Sequence, residues 1–377
     1  MAISRLSSGA AAVPPPPPPP KKALLDRHAS VLGLDGPATA AELGVWALCG
    51  ALMATGLSYG GMNHGSSLSF FDWTVSGKYS PGYHPGMFVF FMAALALPVL
   101  YWQALRRPRK PVFAPAYQVT ANEASHFEPR LVWGSLLFGV GWALGGYCPA
   151  SSMPGLVTGH ANFASFNYGL FLGYVLANVV DPPAAMAAVP PAQRWRHYGW
   201  TGLVLLAPGA LVWLGPQLLE LAVPGYAARA AAPALPAWPL ARSVAGGLLI
   251  GLASVLLMHF SGTVLGMSSL TRRIVAPTPL AKRQRELTFF GGWIAASFVV
   301  AALLPEAFAA PTHPERPLPL VFLGGALVAL GTAAARGCTS GHGIGGLPRL
   351  STRSWIAVPI FMLANFAAVP VLDRILP

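Results

Sequence analysis

The stretch LPLVFLGGALVALGTAAARGCTSGHGIGG (318–346) carries the pattern on which the reading of the fold turns. From Leu318 to Ala335 no residue is charged, a run just long enough to cross a bilayer as one helix. Arg336 then introduces a segment of Gly, Ser, Thr, Cys and His, a composition that breaks regular structure. Such a segment directly after an apolar span can turn back within the membrane. It is tolerated there only where protein or a water-filled cavity surrounds it, because each unsatisfied backbone group costs several kcal/mol in lipid. The alternative is an extramembrane turn with a tucked-in cysteine.

Working outward, the same pattern recurs. GWALGGYCPASSMPG (141–155) has glycines seven residues before and seven after Cys148, and GTAAARGCTSGHGIG (331–345) has the same spacing around Cys338. Each follows an apolar span. A weaker echo links GLSYGGMN, around Met62, with SGTVLGMSSL, around Met267. Together these read as an internal repeat.

Composition supports the membrane reading. Apolar residues make up 54% and charged residues only 10% of the 377, whereas soluble domains carry roughly 25% charged residues. The apolar stretches are continuous, which excludes an alternating barrel pattern. The expected fold is all-α and integral to the membrane, with about nine transmembrane helices near 43–59, 86–104, 131–147, 163–180, 200–219, 242–259, 287–305, 318–335 and 354–372. The net charge of +12 is spread over short clusters between spans, including 106–110, 194–197, 272–273 and 282–285. Placing the N-terminus inside puts all of them on one face, as basic cytoplasmic loops require. That spread leaves no single basic patch for nucleic acid.

Four parts are expected. Residues 1–42, with seven prolines from Pro14 to Pro20, read as a disordered cytoplasmic tail, an organelle transit segment being the alternative. Residues 43–182 form a first four-helix repeat, 183–241 a linker with one connecting span, and 242–377 a second repeat. One span between two four-span repeats inverts the second, a frequent plan for transporters. Cys148 then lies toward the outside and Cys338 toward the inside.

The candidate pathway residues are Cys148, Ser151, Cys338, Ser340, Gly341 and His342, with Met62 and Met267 as soft thioethers. Backbone N–H groups in glycine-rich loops attract anions, and a thiol adds a weak donor and a polarisable sulfur. Two such loops with little fixed charge suit a small sulfur-containing anion. Cys49, on a helical face, reads as core; His259 and His160 read either as structural or as cavity-lining. Three cysteines make no disulfide framework, no nucleotide-binding loop is present, and neither a cofactor nor enzymatic activity is expected. An alternative is a sulfur carrier in which Cys338, activated by His342, forms a persulfide and hands sulfur to a cytoplasmic sulfurtransferase. A weaker one is metal transport through Cys, His and Met.

At GCTSGHGIGGLPRLSTRSW (337–355) the chain resembles the YeeE/YedE sulfur-transport family, and residues 242–377 look like one complete short member. GLSYGGMNHGSSLSFFDW (56–73) and LFGVGWALGGYCPASS (137–152) resemble the companion subunit of such members, so the chain looks like two partners fused. The resemblance implies a permease for thiosulfate or a related anion, passed across by successive S–H···S hydrogen bonds. Cys148 and Cys338 match motif cysteines. A third pathway cysteine has no counterpart here, and CPAS stands where the companion motif often reads CPGP. A plasma or inner membrane is the expected setting, an organelle membrane being the alternative.

Overall fold

The computed structural model describes residues 38–63, 85–104, 110–118, 128–183, 186, 189–231, 238–308 and 316–375. The proline-rich tail before residue 38 and the 64–73 part of the companion-like motif lie outside these.

Each expected span is a helix. In chain order they are α1 (Ala40–Tyr59), α2 (Gly86–Val99, continued by a π turn over Leu100–Ala104), α3 (Pro129–Gly145), α4 (Ala161–Val180) and α5 (Tyr198–Ala222). The second half contains α6 (Leu240–Ser261), the short α7 (Met267–Val275), α8 (Gln284–Leu303), α9 (Leu318–Ala335) and α10 (Thr352–Ile375). Eight are long and apolar enough to cross a membrane. The expected third span, α3, has 17 residues, at the lower limit for a crossing. The chain is a multi-pass integral membrane protein.

The two halves interlock. The six most extensive helix pairings are α3 with α9, α4 with α9, α1 with α8, α2 with α6, α3 with α10, and α1 with α6. Every one joins a helix of the first half to a helix of the second. Exchanging α1 with α6, α2 with α8, α3 with α9 and α4 with α10 returns the same six pairs. The partners α1 and α6 are antiparallel. Trp46 Nε1, near the start of α1, donates to Ser261 Oγ at the end of α6 (3.0 Å), and Ser243 Oγ at the start of α6 donates to Gly60 O past the end of α1 (3.2 Å). Equivalent helices therefore run in opposite directions.

Close approach at the α3–α9 crossing explains the glycines. A side chain at Gly134 would meet the backbone of Gly331 and Ala335, and one at Gly324 would meet the backbone of Gly141 and Gly145. Gly134 and Gly324 are separated by 190 positions, as are Gly141 and Gly331, and Cys148 and Cys338. Small residues let membrane helices pack backbone to backbone, where lipid offers no hydrophobic drive for association. α5 stands at the periphery, with Leu203, Leu206 and Trp213 exposed toward lipid.

The faces are named from the basic loops, the inner one being that at which α1 begins. Near it, Arg285 Nε donates to Glu42 Oε1 (2.6 Å) and its Nη2 to Glu42 Oε2 (3.0 Å), both residues buried. Removing one partner strands a buried charge. Arg285→Met is therefore expected to destabilise the protein by about 3–5 kcal/mol, with most of the loss recovered in Glu42→Met/Arg285→Met. Thermal unfolding in detergent reads this, and equal melting of wild type and the single variant would contradict it.

Candidate functional site

Both cysteine loops are buried within the bundle. After α3, Gly146 ends the helix in the left-handed region (φ 78°), and Tyr147 to Gly159 form turns and a 3-10 helix over Pro154–Thr158. After α9, Arg336 adopts the same conformation (φ 58°), and Thr339–Ile344 wind as a short π helix. Gly146 and Arg336 occupy equivalent positions, again 190 apart. Glycine tolerates that backbone freely, whereas a side-chain-bearing residue pays roughly 1–2 kcal/mol.

Each thiol is held as an acceptor by a backbone N–H. The Ser151 N–H donates to Cys148 Sγ (3.4 Å), and the Cys148 N–H donates to Ser151 Oγ (3.1 Å), closing a tight turn. Cys338 is cradled from another element: the Ser268 N–H donates to its sulfur (3.4 Å), and Ser340 Oγ lies at 3.2 Å. The Met267 N–H donates to Ser340 Oγ (3.1 Å). Met267 and Ser268 open α7, so the positive end of a helix dipole faces the Cys338 loop. α7 is in turn fixed by Arg273 to Glu286 (2.7 Å), Arg272 to Asn178 (2.8 Å) and Trp200 Nε1 to Ile274 O (2.8 Å).

Two cavities flank Cys338. The outer one, about 40 Å³, is lined by Met62, Met87, Phe90, Trp142, Cys148 and Ser151, and reaches Thr339 and Ser340. It has room for about three waters at ~10–15 Å³ each, and among the described residues no charged side chain lines it. The inner one, about 110 Å³, is lined by Arg336, Arg349 and Arg353 together with Ser268, Gly341 and His342. Cys338, 1% exposed, lines neither cavity itself but lies in the wall between their linings, with Thr339 and Ser340 on the outer cavity and Gly337 and Gly341 on the inner. Of its two hydrogen-bond partners, Ser340 faces the outer cavity and Ser268 the inner.

The structure thus brings Cys148, Ser151, Met62 and Ser340 to one cavity, and Gly341 and His342 to the other. Met267 is different: its side chain is fully buried in the core and lines neither cavity, while its backbone N–H holds Ser340. His342 is also engaged away from the thiol. Its Nε2 lies 3.1 Å from Ala335 O and its Nδ1 3.1 Å from Ser354 Oγ. A carbonyl only accepts, so the network assigns the proton to Nε2 and makes Nδ1 the acceptor of the serine hydroxyl. The imidazole therefore anchors its loop between α9 and α10, and neither ring nitrogen is bonded to the Cys338 sulfur. Among the described residues no three of His, Cys, Asp and Glu converge as metal ligands.

Cys49 donates to Ala253 O (3.5 Å) in the packed core. His259 lies beside Tyr101, Nδ1 to hydroxyl 3.5 Å, and His160 is exposed at the start of α4; neither lines a cavity described above. The sequence reading passed over Ser268, Arg349, Arg353 and Ser354. Ser268 adjoins the Met267 that was singled out, and Arg349 and Arg353 belong to the stretch 337–355.

A family model described as "Sulphur transport" matches residues 78–367, across both repeats. A "Probable transporter" of Xylella fastidiosa (strain 9a5c) is 33% identical over 127 residues, 33% of this chain and 88% of that protein. A "Probable transporter" of Xylella fastidiosa (strain Temecula1 / ATCC 700964) is 32% identical over 127 residues, with the same coverage. Each relative is roughly as long as one repeat.

Proposed function

The chain belongs to the sulphur-transport family, and from that premise we propose that it is a permease for thiosulfate or a closely related small sulfur-containing anion. The observation that carries this reading is the position of Cys338 in the wall between two cavities, with one hydrogen-bond partner facing each. In the mechanism we infer, the anion enters the outer cavity and its terminal sulfur accepts the S–H of Cys148. It then shifts to Cys338, displacing Ser340 as the thiol's partner, and leaves through the inner cavity. Only hydrogen bonds change at each step.

The chemistry of the outer cavity favours a soft ligand end. Thioether and aromatic surfaces contact polarisable sulfur well, while a fixed cation there would hold a dianion too firmly to release it. The N–H groups that open α7 supply a partial positive charge beside Cys338 in place of a full one. Fusion of two family-type units through α5 accounts for the two loops facing one another in a single chain. A plasma or inner membrane is the setting this reading implies.

Uptake into proteoliposomes tests the substrate class. Thiosulfate is expected to enter at least about tenfold faster than sulfate, because sulfate has the same charge but no terminal sulfur for the thiols to hand on, a difference of one hydrogen bond. Equal rates, or no thiosulfate uptake at all, would refute the proposal.

A further inference from the structure

We propose that the inner cavity is a second anion site, independent of the thiols, which binds a free divalent oxyanion through Arg336, Arg349 and Arg353. Its meaning as an exit station rests on the permease reading above; its existence as a binding site does not.

Three guanidinium groups line one cavity of about 110 Å³. Arg353 is buried, donates from Nη2 to Ala335 O (3.0 Å) and has Glu128 Oε2 3.9 Å from its Nη1. Arg349 donates to Gly345 O and lies over the Trp102 ring, 6.0 Å from its centroid. Arg336 differs from both, since it is exposed and its side chain has no hydrogen-bond or ion-pair partner among the described residues. Among the described residues Glu128 is the carboxylate beside the group, so the three arginines there carry a net positive charge, which suits an anion. Planar guanidinium donors also suit tetrahedral oxyanions better than they suit soft sulfur.

The backbone supplies the second argument. Arg336 holds a left-handed conformation at the end of α9, and its equivalent at the end of α3 is Gly146. A glycine at 336 would relieve strain, and nothing in the packing of the described residues engages the arginine side chain. What the side chain does is line the cavity. The two cavities then read opposite ends of one ligand, thiols and thioethers the sulfur end, guanidiniums the oxygens.

The test is equilibrium binding of radiolabelled sulfate to the full chain in nanodiscs of zwitterionic lipid, with and without phosphatidylglycerol. Wild type is expected to bind sulfate saturably, more weakly as salt rises, and equally in both lipids. Arg336→Gly should weaken binding about tenfold, the size of one charge-assisted hydrogen bond, with a melting temperature unchanged or higher. Arg349→Gln should also weaken it, whereas Cys338→Ala should bind sulfate as wild type does. Four outcomes would overturn the proposal: no saturable sulfate binding, unchanged affinity in both arginine variants, loss in Cys338→Ala, or competition by phosphatidylglycerol, which would make this a lipid-headgroup site. Failure of thiosulfate transport would leave the sulfate result standing, so the two readings fail separately.

Discussion

Replacing Cys338 with serine is expected to cut thiosulfate uptake by about a hundredfold, the cost of losing one hydrogen-bond station and of stranding the anion's sulfur in its wall. The fold should survive. Serine is smaller and fits the same space, and its hydroxyl can accept the Ser268 N–H and meet Ser340 Oγ as the sulfur does. What it lacks is polarisability and a donor matched to a soft acceptor. Its hydroxyl also bonds more strongly to Ser340, holding the wall closed. Initial uptake rates in proteoliposomes, normalised to folded protein by gel filtration, measure the effect. Cys148→Ser should act in the same direction through the outer station. Wild-type rates in both variants would remove the thiols from the mechanism.

The largest structural effect is expected at the α3–α9 crossing. Gly331→Val places a Cβ against Phe138 N and Gly134 O, and Gly141→Val places one against Val328 N and Gly324 O. These neighbours are backbone, so no rotamer change can make room. Each substitution should destabilise the protein by more than about 3 kcal/mol, and the two should be alike because their surroundings are equivalent. Yield of monodisperse protein and its melting temperature report this. Gly291→Ala is the control: nothing lies within 4 Å of its added Cβ, and alanine is the better helix former by up to about 1 kcal/mol. If Gly331→Val behaved like Gly291→Ala, the backbone-to-backbone contact would be wrong.

Much of this architecture is legible in the sequence, because membrane helices announce themselves as uncharged runs of bilayer length. The run 318–335 is α9 to the residue, and the other spans differ by a few residues at their ends. The glycine spacing around the two cysteines also identified the positions that the inverted packing brings into register. Other parts are silent for physical reasons. α7 has only nine residues and two arginines in its last turn, so it reads as a basic loop between spans. Met267 contributes through its amide, which no side-chain pattern can signal. Arg349 and Arg353 meet Arg336 only through the turn after the π helix, and His342 drew notice as a titratable ring although the fold uses it as a brace.

Interlocking of the two halves has a consequence for how the protein is made. A ribosome inserts α1 to α4 before any of the helices on which they pack exists. The carboxyl end of α9 emerges 155 residues after the end of α4, a wait on the order of ten seconds at usual elongation rates. Throughout that interval the glycine faces of α3 and the opening turns of α1 stand against lipid or against an insertion chaperone. Assembly is therefore a late event in translation, and the nascent first half is the stage at which membrane quality control meets this protein at its most vulnerable.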